Sequence, residues 1–156
     1  MSLKKASLSD LDTVKIISTK TISEVYPHYY PKGAVEFFLE HHNEHNIADD
    51  IKEGCVLLCS DARENIVGTV TIKNHEICRL FVLPEYQGNG FGAEMLDYAE
   101  KVISSKYPEI VLDASLPAKN IYQKRGYTEK EFHTIKTDHN DFLCYDVMVK
   151  HVNSSV

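Results

Sequence analysis

Apolar residues recur at helical spacing in the first third of the chain and at strand spacing after it. A stripe from Leu11 to Ile22, with neighbours three to five residues apart, predicts an amphipathic helix that continues to about Val25. A second helix is predicted from Pro31, a residue type that suits the first turn of a helix. The further elements predicted in this half are a strand over residues 3–6, a short helical turn within 46–53, and strands over 55–59, 66–73 and 76–83.

The second half of the chain continues to alternate between strands and helices. An amphipathic stretch over residues 90–106 predicts a helix that Pro108 ends. A strand over 110–113, a helix over 117–124 and two strands over 127–135 and 142–149 follow. The order β-α-α-β-β-β-α-β-α-β-β is mixed α/β. Since no repeat or linker interrupts it, we expect one domain over residues 1–150 and a loose tail over 151–156.

Composition narrows the function classes. A net charge of −6 provides no basic stripe and argues against nucleic acid as a partner. No apolar run approaches the about 20 residues of a membrane span, and the polar first residues lack the apolar core of a signal peptide. We therefore expect a cytoplasmic protein without a membrane partner. The four cysteines form no Cys-x-x-Cys pair, which predicts buried, free thiols.

The histidines near residue 45 raise the question of a metal site. His41 and His45 lie one helical turn apart, a spacing that suits two ligands. A third ligand at catalytic spacing is missing, so a solvated helix end is the favoured interpretation and no metal is predicted.

The most informative segment runs from the strand ending at Pro84 into the helix predicted from residue 90. Gly88, Gly90 and Gly92 alternate at the junction, and glycine tolerates the positive φ that lets backbone N–H groups converge on an anion. The positive end of the helix dipole lies at the same point, which favours a phosphate ligand. No Lys or Arg lies between Arg79 and Lys101, so backbone groups must supply the contacts.

Two other phosphate motifs fit less well. The lysine-bearing P-loop pattern is absent, so hydrolysis of a nucleoside triphosphate has no support. Gly88, Gly90 and Ala93 match the glycine spacing of the dinucleotide fingerprint, and Asp113 follows at about the position of a ribose-binding acid. That fingerprint requires a tight strand-to-glycine turn and further βαβ units. Four residues intervene here, and only about 40 follow Asp113.

A family resemblance fits better. Gln87-x-x-Gly90-x-Gly92 resembles the Gln/Arg-x-x-Gly-x-Gly/Ala signature of the GNAT N-acetyltransferases, and Ala118-x-x-x-Tyr122-x-Lys124-x-Gly126-Tyr127 resembles a second segment of that family. The resemblance implies a GNAT-like acyl-CoA N-acyltransferase fold, with a central, mostly antiparallel sheet flanked by helices. It further implies that the strands before and after the glycine-loop helix splay apart and admit acetyl-CoA as co-substrate.

The resemblance also assigns site residues. Backbone amides of Leu80, Phe81 and Val82 would lie beside the thioester, and Tyr122 would protonate the departing thiolate. Ser115 occupies a position where many family members have Asn, which leaves its contact with the pantetheine arm open. The loop expected to hold the pyrophosphate comprises Gln87, Gly88, Asn89, Gly90, Phe91 and Gly92.

The acceptor is expected to be a primary amine of a small molecule or peptide that attacks directly within a ternary complex. Glu76 is the candidate base, on the expectation that it shares a strand face with Cys78, Leu80 and Val82. The alternative is a solvated strand start. His28, Tyr29 and Tyr30, in an aromatic loop, are candidate acceptor contacts. A non-catalytic acyl-CoA sensor or partner-binding domain is the alternative function, and the oligomeric state stays open, with a homodimer among the possibilities.

Overall fold

The computed structural model describes residues 1–152, so residues 153–156 of the tail predicted for residues 151–156 lie outside the described residues. Within residues 1–152 the chain forms a seven-stranded sheet in the order β1-β2-β3-β4-β5-β7-β6. All neighbouring strands are antiparallel except β4 and β5. The strands are β1 (Ser2–Lys5), β2 (Val56–Ser60), β3 (Ile66–Lys73), β4 (Glu76–Val82), β5 (Glu109–Ala114), β6 (Thr128–Lys136) and β7 (Phe142–His151).

Five α-helices flank the sheet within the same residues: α1 (Leu11–Val25), α2 (Lys32–His41), α3 (Glu44–Lys52), α4 (Phe91–Ser104) and α5 (Lys119–Lys124). The predicted mixed α/β class, the mostly antiparallel sheet and its flanking helices are confirmed. One helix is longer than expected, because α3 fills the region where the sequence indicated only a helical turn. The Asn43 side chain accepts a hydrogen bond from the Asn46 amide at 2.8 Å and caps its N-terminus.

Two apolar cores lie on opposite sides of the sheet. One packs α4 and α5 against the sheet through residues such as Met95 and Tyr127. The other packs α1, α2 and α3 through residues such as Ile17, Ala34 and Ile47. Strands β2, β3, β4 and β7 supply side chains to both cores, as the two-residue period of a strand requires, whereas the buried side chains of β5 all lie in the first core. The sheet is therefore covered on both faces.

The parallel pair β4 and β5 separates soon after it begins. The two strands pair only at Glu76 with Val111 and at Ile77 with Leu112. Beyond Ile77 the edge of β4 that faces β5 has no strand partner among the described residues. The splaying expected from the family resemblance is confirmed, and it opens a gap with free backbone groups along one wall.

A β-bulge in β4 changes which residues share a face. Thr71 of β3 pairs with Arg79 and Ile72 pairs with Ile77, so Cys78 is left without a partner. As a result Ile77 packs in the same core as Leu80 and Val82. Its neighbour Glu76 points to the opposite face, towards α2. The expectation that Glu76 shares a face with Leu80 and Val82 is therefore wrong, because strict alternation does not continue across the bulge.

The hairpin between β6 and β7 is attached to the start of α2. The Gly33 amide donates a hydrogen bond to the Asp141 carboxylate at 2.8 Å, and a Cβ at Gly33 would overlap the Asp138 backbone. His139 and Glu36 form an ion pair across the same contact when the histidine is protonated. The contact holds α2 beside the C-terminal hairpin, and both elements enclose the cavity described below.

Other expectations have mixed outcomes. All four cysteines are free, as predicted, but only Cys59 is fully buried. β7 continues to His151, two residues past its expected end. No helix within residues 1–152 is long and apolar enough to cross a membrane.

Candidate active site

A cavity of about 740 Å³ occupies the gap between β4 and β5. Its walls come from β4, the glycine loop, the first turn of α4, the residues after β5, and α5. The end of α1, α2 and β7 close the opposite side. Of the predicted site residues, those that line the cavity are Leu80, Phe81, Val82, Gln87, Gly88, Gly90, Phe91, Gly92, Ser115 and Tyr122.

The glycine loop has the geometry of an anion site. Gly88 and Gly90 adopt φ of 80° and 88°, a region that residues with a Cβ rarely adopt. Gly90 is the N-cap of α4, so the first amides of that helix have no intrahelical partner, and the residues that carry them line the cavity. Gln87 and Asn89 act on the loop itself, since their side-chain amides donate to the Val82 and Tyr86 carbonyls at 3.0 Å each. Asn89 does not line the cavity.

Tyr122 lies in the cavity wall with only 8% of its surface exposed. Its ring packs edge-on against Tyr127, with 5.6 Å between the ring centroids. The Tyr122 hydroxyl makes no hydrogen bond within residues 1–152. Every side-chain polar atom that is fully enclosed within residues 1–152 has a hydrogen-bond partner. Since the Tyr122 hydroxyl has none, it is not enclosed and opens to the cavity that Tyr122 lines. Burial, and then the nearby Tyr26 phenol, raise the pKa of Tyr122, which keeps it protonated.

Tyr26 and Ser115 lie on the same side of the cavity. Burial raises the pKa of Tyr26, and the nearby Ser115 hydroxyl partly opposes that effect. Tyr26 and Ser115 both line the cavity. Tyr26 was not among the predicted site residues, although it begins the aromatic loop from which three others were chosen.

Those three residues lie elsewhere. His28 and Tyr29 are exposed, and Tyr30 is buried, where its hydroxyl accepts a hydrogen bond from the Leu116 amide at 2.7 Å. None of the three lines the cavity. The short 3-10 turn over Tyr26–His28 directs Tyr26 inward, which the composition of the loop did not indicate.

Carboxylates gather at the end of the cavity near α2 and β7. Asp113 is the only carboxylate among the described residues that line the cavity. Loss of water raises the pKa of Asp113, against the effect of His41 and His133. Glu76 is half-buried close by but outside the cavity wall. Burial first, and then the charge of Asp113, raise the pKa of Glu76. Glu76 and Asp113 are called the carboxylate pair below.

Aromatic and cationic side chains complete the two ends of the cavity. Tyr145 of β7 lines the end with the carboxylate pair and stacks on His133, with 5.2 Å between the ring centroids. Phe37 and His42 line the α2 side of the same end. Lys124 of α5 also lines the cavity. It belongs to the second segment that resembles the GNAT family, residues 118–127, in which the resemblance gave it no role.

This fold and cavity are those of an acyl-CoA-dependent acyltransferase: a glycine loop at a helix N-terminus, beside two strands that separate. The model of the acetyltransferase (GNAT) domain matches residues 25–145, and the chain belongs to that family. It is an acetyl-CoA-dependent N-acetyltransferase, and the family match favours this enzyme over the non-catalytic sensor.

Individual relatives agree with that assignment. The chain is 28% identical over 140 residues to the N-alpha-acetyltransferase of Sulfurisphaera tokodaii, a match that covers 81% of this chain and 80% of the relative. Its fold is similar to a GCN5-related N-acetyltransferase from Rhodopseudomonas palustris, with a TM-score of 0.87, 23% identity and coverage of 97% and 95%. It is also similar to the PaiA N-acetyltransferase of Thermoplasma acidophilum in complex with coenzyme A, with a TM-score of 0.71, 23% identity and coverage of 97% and 98%.

Proposed function

We propose that this enzyme acetylates the α-amino group of a peptide or aminoacyl compound, by direct attack of the amine on acetyl-CoA in a ternary complex. The observation that carries the proposal is the carboxylate pair at the end of the cavity away from the glycine loop. The Sulfurisphaera tokodaii relative is an N-alpha-acetyltransferase, which supports the same acceptor class.

The chemistry of the two amine types explains this choice. An α-amine has a pKa of about 7.7–8.0 and a lysine side chain about 10.4. The equilibrium for loss of a proton is therefore roughly 250- to 500-fold more favourable for an α-ammonium than for a lysine ammonium. A carboxylate whose pKa is raised is a matched base for the first and a weak base for the second. Glu76 has such a raised pKa, and the charge of Asp113 contributes to it.

The cofactor is assigned to the opposite end of the cavity. The amides of residues 88–92 hold the pyrophosphate, and Lys124 adds a positive charge on the α5 side. The pantetheine arm follows the free edge of β4 and passes Ser115. One backbone N–H of Leu80, Phe81 or Val82 then donates to the thioester oxygen as it acquires negative charge.

Proton transfer balances the reaction. Asp113 attracts the ammonium group, and Glu76, outside the cavity wall, takes its proton through water. The neutral nitrogen attacks the thioester carbon and becomes positively charged. The nitrogen then releases its second proton to water, and the carbon–sulfur bond breaks when the tetrahedral intermediate collapses. Tyr122 gives its proton to the departing CoA thiolate and regains one from solvent after CoA leaves. Burial, which keeps the phenol neutral, supports this role for Tyr122.

Two further expectations remain predictions. The cytoplasmic location stays a prediction. A homodimer would find a free edge at β6, the last strand of the sheet, where Phe132 is 65% exposed. Light scattering coupled to gel filtration measures that state.

A turnover screen tests the proposed activity. The enzyme is incubated with acetyl-CoA and, separately, a tetrapeptide with a free N-terminus, the same peptide with a blocked N-terminus and an internal lysine, and spermidine. Tandem mass spectrometry locates the acetyl group. We expect acetylation of the free α-amine with a kcat/KM at least tenfold above the other two. Equal or faster turnover of lysine or spermidine contradicts the assignment to α-amines.

A further inference from the structure

A buried arginine fixes the chemical state of His42 in the cavity wall. Arg79 of β4 is 5% exposed, and its Nε donates a hydrogen bond to His42 Nδ1 at 3.2 Å. A guanidinium group can only donate, so Nδ1 must accept. A neutral imidazole with Nδ1 as acceptor has its proton on Nε2.

Arg79 is itself held in place by other elements. Its Nη1 donates to the Thr71 hydroxyl at 2.8 Å and its Nη2 to the Asp50 carboxylate at 3.1 Å. Asp50 of α3 is 7% exposed and also pairs with Lys73. Each nitrogen of the guanidinium thus has a protein partner. Arg79 is therefore fixed through all three of its nitrogens, and it orients His42 through Nε.

His42 stays neutral in this position. Burial first, and then Arg79, lower the pKa of His42 to about 3, and the neighbouring His41 acts in the same direction. The charged group that faces the ring from β4 is Arg79, whose charge Asp50 of α3 balances. His42 also packs edge-on against Phe81, with 5.3 Å between the ring centroids. It cannot serve as a base at neutral pH, since Nδ1 is occupied and Nε2 already carries a proton.

The remaining nitrogen of His42 has no protein partner. Nε2 makes no hydrogen bond within residues 1–152. Every fully enclosed side-chain polar atom among those residues does make a hydrogen bond, so Nε2 is not enclosed. His42 lines the cavity, so this N–H opens into it. The acceptor end of the cavity therefore combines the carboxylate pair, which suits an ammonium group, with a fixed neutral donor, His42 Nε2–H, that suits an oxygen.

We propose that His42 Nε2 donates a hydrogen bond to the carbonyl oxygen of the residue that carries the reacting α-amine, and that Arg79 positions it to do so. This inference rests on the proposed function and deepens it, because it explains how an α-amine is distinguished from other amines. An α-amino group always lies two bonds from the carbon of a carbonyl group, whereas a lysine ε-amine or a polyamine has no such oxygen nearby.

The test compares two acceptors in three proteins. One acceptor is the tetrapeptide above, and the other is the same peptide with its first amide replaced by a trans-alkene, which keeps the shape and removes the carbonyl. The proteins are wild type, His42→Phe and, as a matched control, His45→Phe at an exposed neighbouring histidine. We expect His42→Phe to raise KM for the peptide about tenfold, with kcat within threefold and KM for the alkene unchanged. His45→Phe should change neither. An equal rise of KM for both acceptors in His42→Phe overturns the proposal.

A second measurement begins with the wild type alone, where it depends neither on turnover nor on the folding of a variant. Long-range ¹H–¹⁵N correlation spectra of the wild type at pH 7 identify the tautomer of His42. We expect the Nε2–H form, and we expect Arg79→Lys, which removes the Nε donor, to populate both tautomers and to raise KM for the peptide. An Nδ1–H tautomer in the wild type overturns the inference. If the spectra show Nε2–H but the wild-type enzyme acetylates no α-amine, the proposed function fails and the inference fails with it for lack of a substrate carbonyl. A preserved α-amine preference in His42→Phe overturns the inference alone.

Discussion

At the scale of single residues, removal of the Tyr122 hydroxyl should lower the rate of the reaction without changing the affinity for CoA. The ring is packed against Tyr127 and the hydroxyl opens to the cavity, so Tyr122→Phe retains the packing. We expect kcat to fall about 10²-fold, the low end for loss of an acid catalyst. Calorimetry should give an unchanged Kd for CoA. Equal losses of rate and CoA affinity, or no loss of either, would show that Tyr122 only packs its helix.

The carboxylate pair makes a prediction about pH. A base works only when deprotonated, so a raised pKa of Glu76 moves the acidic limb of the kcat/KM profile to higher pH. Glu76→Gln should abolish that limb and lower kcat/KM. Asp113→Asn should keep the limb but shift it to lower pH, because the charge that raises the pKa of Glu76 is gone. The measurement is kcat/KM for the peptide from pH 5 to 9.

The two variants also show which result would contradict the assignment of Glu76 as the base. An acidic limb in Glu76→Gln that equals that of the wild type would exclude Glu76 as the base. If Asp113→Asn then lacked the limb, Asp113 would take that role. Alkaline behaviour need not change in either variant, since it reports on other groups.

Only some of these residues could be found from sequence. The glycines and Tyr122 stand in short local patterns whose spacing already carries their chemistry. Tyr26 and His42 enter the cavity because α1 and α2 pack across the splayed strands, and no local pattern encodes that. Asp113 ends an apolar run in the sequence, and its spacing from the glycines suggested only the ribose-binding acid of a dinucleotide site. Its place beside Glu76 depends on the β4–β5 register.

At the scale of elements, the loop and the first turn of α4 act together as one anion site. A side chain at Gly92 is sterically tolerated, since its Cβ would meet only Val82 at 3.8 Å and its φ is not in the left-handed region. Gly92→Glu should therefore fold and place a negative charge against the pyrophosphate. We expect calorimetry to show CoA binding weakened at least tenfold, or about 1.4 kcal/mol. Gly92→Gln is the matched control and should lose less. Unchanged affinity in folded Gly92→Glu would contradict the site.

The same scale shows where periodicity stops being informative. Helix α1 and the long strands follow from apolar spacing, because that spacing records which face is buried. The bulge at Cys78 leaves no mark in the sequence, because it is defined by which residues of β3 oppose β4. The bulge places the residues of β4 that precede it on the face opposite to the one that strict alternation predicts. It thereby changes the surroundings of Glu76. Pairing between strands is non-local, and for that reason neither the sheet order nor this reversal could be predicted.

At the scale of the whole molecule, the cavity divides the sheet. On one side lie β1 to β4, and on the other β5, β7 and β6, with only two paired positions across the β4–β5 boundary. The remaining connections are the packing of the helices and the attachment of the β6–β7 hairpin to α2 through Asp141. A cofactor that fills the gap contacts both sides, so its binding should stabilise the entire fold and not one element.

Thermal unfolding with and without CoA measures that effect. At a free CoA concentration of 100 times its Kd, binding to the native state alone adds about 2.7 kcal/mol to the free energy of unfolding. For a chain of this size, each kcal/mol raises Tm by about 2–4 °C, so we expect an increase of roughly 5–10 °C in one cooperative transition. At the same CoA concentration Gly92→Glu should lose at least half of that increase, while its Tm without CoA stays close to that of the wild type. If the transition splits in two on adding CoA, the ligand stabilises one side of the sheet without the other, and the gap between β4 and β5 is not where it binds.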